Sequence, residues 1–312
     1  MRTRRLGSVG AAVLGAVATL AAGQATPPQQ PQQPTFRAGV RTVPVYATVS
    51  DGAGGFVLDL AKDDFEVRDN GRVQTITQFA TTPQPLSTLL LLDGSSSMWP
   101  VMNSVLAGAN AFLVRMLPAD RAAIASFADR FQMRQRFTSD RDALLGHLAD
   151  QFNVRLGTET HLWDAVIEGA MAVGREDGRR VVVVLSDGQN WVNPRDSTAT
   201  VNQAASVAIS RDVMIYGIAM WTTWEGKEDP PNRALMQIAE DTGGGAIELR
   251  QWDEINATFG RVAKELHQQY VLGFTPATLD GKVHRLEVKV KQPGARVRAR
   301  RSYFAGDTPK QP

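Results

Sequence analysis

The stretch "RRVVVVLSDG" at residues 179–188 constrains this chain more than any other. Four consecutive valines leave no polar face, so a strand built from them must be covered on both sides, as in a parallel sheet between layers of helices. A second run, "LSTLLLLDGSSSMWP" at residues 86–100, has the same character. Both runs end in an aspartate followed by glycine, Asp187-Gly188 and Asp93-Gly94.

Around these runs the period of the apolar residues alternates. Met102, Val105, Ala109, Phe112 and Met116 recur at helical spacing, and Pro118 closes the run. "RAAIASFAD" predicts the next strand, and "RFQMRQRF" a strand beside it, antiparallel at the sheet edge. Helices are predicted over "TSDRDALLGHLADQF", with Ser139 or Asp140 as cap, over "HLWDAVIEGAMAVGR" and near residues 198–210. "DVMIYGIAM" and "AIELR" read as strands, separated by a helix that Gly243 stops. Ile255, Phe259, Val262 and Leu266 mark a last amphipathic helix. The alternation implies an α/β, Rossmann-like, doubly wound and mainly parallel sheet with right-handed crossovers, over residues 86–267. Ligands of such sheets sit beyond the carboxyl ends of the strands, which makes neighbours of the loops after Leu92, Leu185 and Met220.

The flanks are β. "GVRTVPVYATVSD" alternates with period 2, and Asp69-Asn70-Gly71 between two β-rich runs predicts a hairpin. Pro83 and Pro85 mark a boundary. After residue 268 alternating strands return, with turns at Asp280-Gly281 and Pro293-Gly294. Neither flank is large enough to bury a core alone. Residues 36–85 and 268–306 are therefore expected to form one split, all-β, sandwich-like domain with the α/β domain inserted in it. Residues 307–312 are a short tail.

The first residues have the three parts of an export signal: Arg2, Arg4 and Arg5, a short apolar stretch from Val9 to Ala22, and small residues at cleavage spacing. A signal peptide is expected over residues 1–25, cut after Gly23 or Ala25, then a Pro/Gln-rich linker over residues 26–35. No later run is long and apolar enough to span a bilayer. An exported protein, periplasmic or secreted, is expected. Cysteine is absent, which excludes disulfides, zinc-thiolate sites and cysteine nucleophiles. A net charge of +2 gives no reason to expect a nucleic-acid partner.

Asp93, Ser95 and Ser97 follow the first apolar run, where either a helix cap or a ligand site would place them. Asp187 ends the valine run at the same sheet edge, and Thr158 and Thr160 lie in the loop before the helix "HLWDAV". Two carboxylates and several hydroxyls are hard oxygen donors, suited to Mg²⁺, Mn²⁺ or Ca²⁺. With so little negative charge, a bound ion stays electrophilic toward a carboxylate of a partner.

"LLDGSSSM", "TETHLWDAV" and "VVVVLSDG" resemble the three metal-ion-dependent adhesion-site (MIDAS) segments of von Willebrand factor type A (vWA) domains. The resemblance implies that Asp93, Ser95, Ser97, Thr160 and Asp187 hold the metal. Thr160 is favoured over Thr158 because it stands four residues before Asp164, in the family's Thr-x-x-x-Asp-Ala pattern. Where the family has small glycines before that threonine, this chain has Thr158-Glu159. The flanking segments resemble those of vWA-related proteins described from Acidobacteria, over roughly residues 37–306.

Four of the six tryptophans, Trp99, Trp191, Trp221 and Trp224, fall on loops at the metal end and are candidate anchors for a partner. Trp163 and Trp252 read as core. Arg296, Arg298 and Arg300 share one strand face, either a site for an anionic partner or a solvated outer face. The latter is favoured, and no aromatic residue interleaves with them as single-strand nucleic-acid binding requires. His161 adjoins Thr160 and is a candidate lining residue. No Gly-x-Ser-x-Gly, phosphate-loop or His-Glu-x-x-His pattern occurs, so no enzyme is expected. The expected function is adhesion-type binding of a protein that offers an acidic residue to the metal. The alternatives are a structural or assembly module with a degenerate metal site, or a metal-dependent hydrolase.

Overall fold

A computed structural model of the chain describes residues 42–151, 157–224 and 227–306. The expected signal peptide at 1–25, linker at 26–35 and tail at 307–312 lie outside the described residues.

The first flank supplies β1 (Val43–Ser50), β2 (Phe65–Asp69), β3 (Arg72–Gln74) and β4 (Ile76–Ala80). Asn70 and Gly71, with φ of 47° and 82°, make the turn between β2 and β3, the left-handed geometry that Asn-Gly adopts at least cost. The α/β part then runs β5 (Leu86–Asp93), α1 (Met102–Leu113), β6 (Arg121–Phe127), β7 (Phe131–Met133), α2 (Arg141–Gln151), α3 (Leu162–Val173), β8 (Arg179–Ser186) and α4 (Val201–Ser210). It continues through β9 (Val213–Met220), a small hairpin of β10 (Thr222–Trp224) and β11 (Lys227–Asp229), α5 (Arg233–Thr242), β12 (Ala246–Leu249) and α6 (Glu254–Leu266). The second flank closes with β13 (Tyr270–Phe274), β14 (Lys282–Val290), β15 (Arg296–Arg298) and β16 (Ser302–Ala305).

The central sheet has the order β12-β9-β8-β5-β6-β7, parallel throughout except that β7 runs antiparallel to β6. Its valine run behaves as the sequence requires. Val181 and Val183 face a core with α1, α2 and α6, while Val182 and Val184 face the opposite core with α3, α4 and α5. From β5 the chain crosses first to β6 and later to β8 on the other side, so the direction of winding reverses between β5 and β8. That switch point is where open α/β sheets form a ligand crevice.

The flanks join into two antiparallel sheets, β15-β1-β13-β4 and β16-β14-β2-β3, each containing strands from both ends of the chain. Val43, Val45 and Leu272 from one sheet share a core with Val67, Leu286 and Tyr303 from the other. No helix among the described residues is long and apolar enough to cross a membrane.

Two expectations need correction. Arg298 and Arg300 do not form a solvated face with Arg296. Arg298 pairs with Glu265 of α6 and Arg300 with Asp212, so the strand face turns toward the α/β part rather than toward water. Trp252 is 46% exposed in the turn before α6 instead of being core, whereas Trp163 is buried in α3.

Glu265 is the hub of the junction between the two parts. Buried near the end of α6, it accepts hydrogen bonds from the Thr48 hydroxyl of β1 at 2.9 Å, the Tyr216 hydroxyl of β9 at 2.7 Å, and Arg298. Gln269 donates to the same Thr48 hydroxyl at 2.5 Å.

Helices α1 and α6 approach closely at Gly108. A Cβ there would lie 2.6 Å from Cγ2 of Ile255 and 2.7 Å from Cδ2 of Phe259. Replacing a helical glycine by alanine ordinarily gains up to about 1 kcal/mol. Gly108→Ala is instead expected to lose about 1–3 kcal/mol, because the helices must separate to admit the methyl group. Urea unfolding of the variant checks this, and a gain in stability would refute it.

Candidate functional site

The two aspartates reach one place because β5 and β8 are adjacent and parallel, in register from Leu86↔Arg179 to Leu92↔Leu185. Asp93 ends β5 and is fully buried. Its Oδ1 accepts the backbone N–H of Ser95 at 2.9 Å and its Oδ2 the hydroxyl of Ser186 at 2.6 Å. The hydroxyls of Ser95 and Ser97 are 3.1 Å apart, and Ser97 donates to Oδ2 of Asp187 at 2.7 Å. Oδ1 of Asp187 accepts the backbone N–H of Gln189 at 3.1 Å. Asp93, Ser95, Ser97 and Asp187 thus form one continuous polar cluster.

A plain helix cap does not explain this cluster. The turn after Ser95 is a 3-10 segment, Ser96–Val101, with no side-chain cap. Helix α1 begins only at Met102, with Val101 at its N-cap position. Asp93 instead binds the loop to β8.

Thr160, the fifth expected ligand, is buried and held through its backbone, its N–H donating to the carbonyl of Trp191 at 2.7 Å. No side-chain hydrogen bond joins it to the other four. The loop before it wraps Asp129, whose Oδ1 accepts the N–H groups of Thr158 at 2.9 Å and Glu159 at 2.8 Å. The Thr158-Glu159 pair, unusual beside the glycines it replaces, is anchored by that carboxylate. His161 is buried and engages Glu159 at 2.7 Å.

Two residues not singled out from the sequence take part, Ser186 and Asp129. Ser186 is the last residue of β8 and Asp187 follows it, so a continued strand would have turned their side chains to opposite faces. The strand ends there, and both residues meet the cluster from the last turn of chain.

The tryptophans differ from one another. Trp191 is 73% exposed beside the Thr160 loop. Trp99 is half-buried. Trp221 is half-buried and stacks under the Arg250 guanidinium, 3.9 Å from its ring centroid. The Trp224 side chain lies outside the description, although its backbone pairs with Lys227.

Burial pushes the Asp93 carboxyl up to about 7, the neighbouring Asp187 charge adding to the rise against hydrogen bonds from Ser186 and Ser95. Burial also raises Asp187, which Ser97 partly offsets. Neither carboxylate forms an ion pair with a basic side chain among the described residues. Nor do three His, Cys, Asp or Glu side chains converge there on a metal-sized site. The donor set is two carboxylates and a group of hydroxyls. That set suits a hard divalent cation, whose charge would relieve the two buried acids.

Comparison with known proteins agrees with this architecture. No curated protein sequence matches the chain. A vWA protein from Catenulispora acidiphila superposes with a TM-score of 0.50 at 11% identity, covering 86% of this chain and 75% of that one. Proximal thread matrix protein 1 from the mussel byssus, solved with a zinc-occupied MIDAS motif, also gives 0.50 at 18% identity, covering 62% and 48%. The pilus adhesin SpaC from Lactobacillus rhamnosus GG gives 0.46 at 11% identity, covering 76% and 47%. This chain spans about half the length of the mussel and pilus proteins. The sequence model of the von Willebrand factor type A domain matches residues 89–261, from β5 into α6 and more than half of the chain. With the doubly wound sheet and its switch-point cluster already in place, that match makes this chain a member of the von Willebrand factor type A domain family.

Proposed function

We propose that the protein is an exported, periplasmic or secreted binding module that engages a protein partner through a divalent cation, Mg²⁺ or alternatively Mn²⁺ or Ca²⁺. Asp93, Ser95, Ser97, Thr160 and Asp187 would hold the ion. Once bound, it supplies an electrophilic point for an acidic side chain of the partner. The observation that carries this reading is the pair of buried carboxylates, wrapped in hydroxyls at the switch point, with no basic side chain among the described residues to balance them. The zinc-occupied MIDAS motif of the mussel protein lends support in kind.

This chain's own residues do the rest. Ser97 and Ser186 orient the two carboxylates by donating to them. Asp129 braces the loop that carries Thr160. Trp191 offers exposed aromatic surface at the rim, the kind of side chain that dominates binding energy once a partner covers it. Trp99, Trp221 and Trp224 would extend that rim. The split sandwich of residues 36–85 and 268–306 acts as the mount for the binding domain of residues 86–267.

Thermal unfolding with Mg²⁺, Mn²⁺, Ca²⁺, Zn²⁺ or chelator, beside Asp93→Ala, tests the metal. An ion at 100 times its dissociation constant should stabilise the native chain by about 2.7 kcal/mol, and the variant should lose that gain. An equal response of wild type and variant, or none at millimolar ion, would sink the proposal.

A further inference from the structure

The exposed face of α6 carries a groove of about 720 Å³ that shares no residue with the carboxylate cluster. Ala257, Gly260, Arg261 and Lys264 line it from one stripe of the helix, at spacings of three, four and seven residues, and His267 follows at the helix end. Arg115, just past α1, and the loop Gly54–Phe56 of the β flank form its walls. Four basic side chains therefore line the groove, and no carboxylate is among its described lining residues.

Each cation is held in place. The Arg115 guanidinium lies across Gly260, where an added Cβ would be 3.1 Å from its Cζ, and its Nη1 donates to the Ala111 carbonyl at 2.6 Å. Arg261, the next residue along α6, donates from Nη2 to the Gly54 carbonyl at 3.3 Å. Lys264 stands about 4.5 Å further along the helix axis. Among the described residues, none of these three forms an ion pair. Nε2 of His267 meets Oδ2 of Asp120 at 2.7 Å. That carboxylate also accepts the N–H groups of Leu86 at 3.0 Å and Leu117 at 2.7 Å, so its charge is already committed. Asp51, nearby in the β flank, is likewise turned to its own loop, accepting from Ala53 at 2.9 Å and Gly55 at 2.8 Å.

The partial negative charge at a helix C-terminus favours basic side chains in the last turn, which accounts for Lys264. It does not account for Arg115, which another helix brings to the same groove, nor for Arg261, which lies before that turn. The surplus charge fits an anionic ligand, and its distribution says of what kind. From Arg261 to His267 the cations are spread over about 9 Å of helix axis, so a single compact anion would meet only part of the set. A chain with charge repeated along its length would meet all of it. Between the charges lie the bare surface of Ala257 and Gly260 and the half-buried ring of Phe56. The C–H face of a sugar ring can cover such apolar surface, whereas a polyphosphate has nothing to place there. Guanidinium forks match carboxylates in bidentate geometry.

We propose that this groove binds an acidic polysaccharide, a chain of sugar rings that bear carboxylates. Arg115, Arg261 and Lys264 make the charge contacts, and Phe56 lies against a ring face. The site needs no divalent ion and is independent of the carboxylate cluster.

The test is isothermal titration calorimetry of the full chain with oligogalacturonate in chelator, which takes any divalent ion out of the result. Binding should saturate and weaken as salt is added, and the methyl-esterified oligomer, the same chain without its charge, should not bind. Arg261→Gln and Lys264→Gln alter exposed side chains and should each weaken binding by about tenfold. Arg285→Gln removes the same charge from the exposed side of β14 and should leave the affinity unchanged. No saturable binding at millimolar oligomer, equal binding of the methyl ester, or an equal loss in Arg285→Gln would overturn the proposal. Tighter binding of tripolyphosphate or oligoglutamate through the same residues would also overturn it, by assigning the groove to a phosphate chain or an acidic peptide instead.

Discussion

Glu265→Ala is expected to cost the chain about 3 kcal/mol, at the lower end of the range for breaking a buried ion pair because Arg298 keeps partial access to water. The loss comes less from the vanished attraction than from what is left behind. The hydroxyls of Thr48 and Tyr216 and the guanidinium of Arg298 all direct protons at one oxygen of Glu265. Alanine leaves these donors in a space that water reaches poorly. Glu265→Gln keeps a side-chain oxygen for the two hydroxyls and gives up the charge, so about half the loss is expected. Urea denaturation of both variants measures the difference. If alanine costs less than about 1 kcal/mol, the hub is not what holds the sandwich to α6.

A pH titration of stability should expose Asp93 as clearly. Its folded carboxyl is raised to about 7 from 3.8. The folded chain therefore holds a proton that the unfolded chain has already released over that interval. Stability from this group is fully present below the lower value and is lost as pH rises to the upper one. At 1.36 kcal/mol for each unit, the loss is on the order of 4 kcal/mol in chelator. Asp93→Asn should be flat over the same interval in this respect, and more stable than wild type at pH 8. A divalent cation should reverse the order, since the ion and the proton compete for one carboxylate. Its affinity should weaken by up to about tenfold for each pH unit below 7. Parallel pH curves for wild type and Asp93→Asn in chelator would show that Asp93 is not held as described.

Much of the α/β part could be read directly from the chain because burial on both faces is written as composition. Val181–Val184 admits no solvent-facing side, and it became the strand between the two helical layers. Local chemistry was equally legible. Asn70-Gly71 has the turn angles its side chains favour, and Asp140 accepts the N–H of Ala143 at 3.0 Å to begin α2. The ends of the two apolar runs also located Asp93 and Asp187, since a parallel sheet brings the carboxyl ends of its strands to one edge.

What a sequence does not carry is what lies opposite a given face. The alternation of Arg296, Arg298 and Arg300 placed them together on a strand but could not reveal Glu265 and Asp212 across the gap. Trp252 has an apolar ring, but its backbone lies in a turn outside α6, and burial follows the backbone. Ser186 escaped notice because a serine at the end of a valine run reads as a stop signal. Its bond to Asp93 depends on a neighbouring strand that lies 93 residues away in the chain.

The interleaving of the flanks sets a schedule for the growing polypeptide. Strand β1 lies between β13 and β15, so both its edges wait for residues made long after it. Thr48 and Gln269, hydrogen-bonded in the finished protein, are 221 residues apart in sequence. At common elongation rates that separation corresponds to roughly ten to forty-five seconds. Over that interval the α/β part can assemble from its own neighbouring segments, while the first flank stays an open edge. A chain of this design matures from the middle outward, and its opening strands are among the last to find their place.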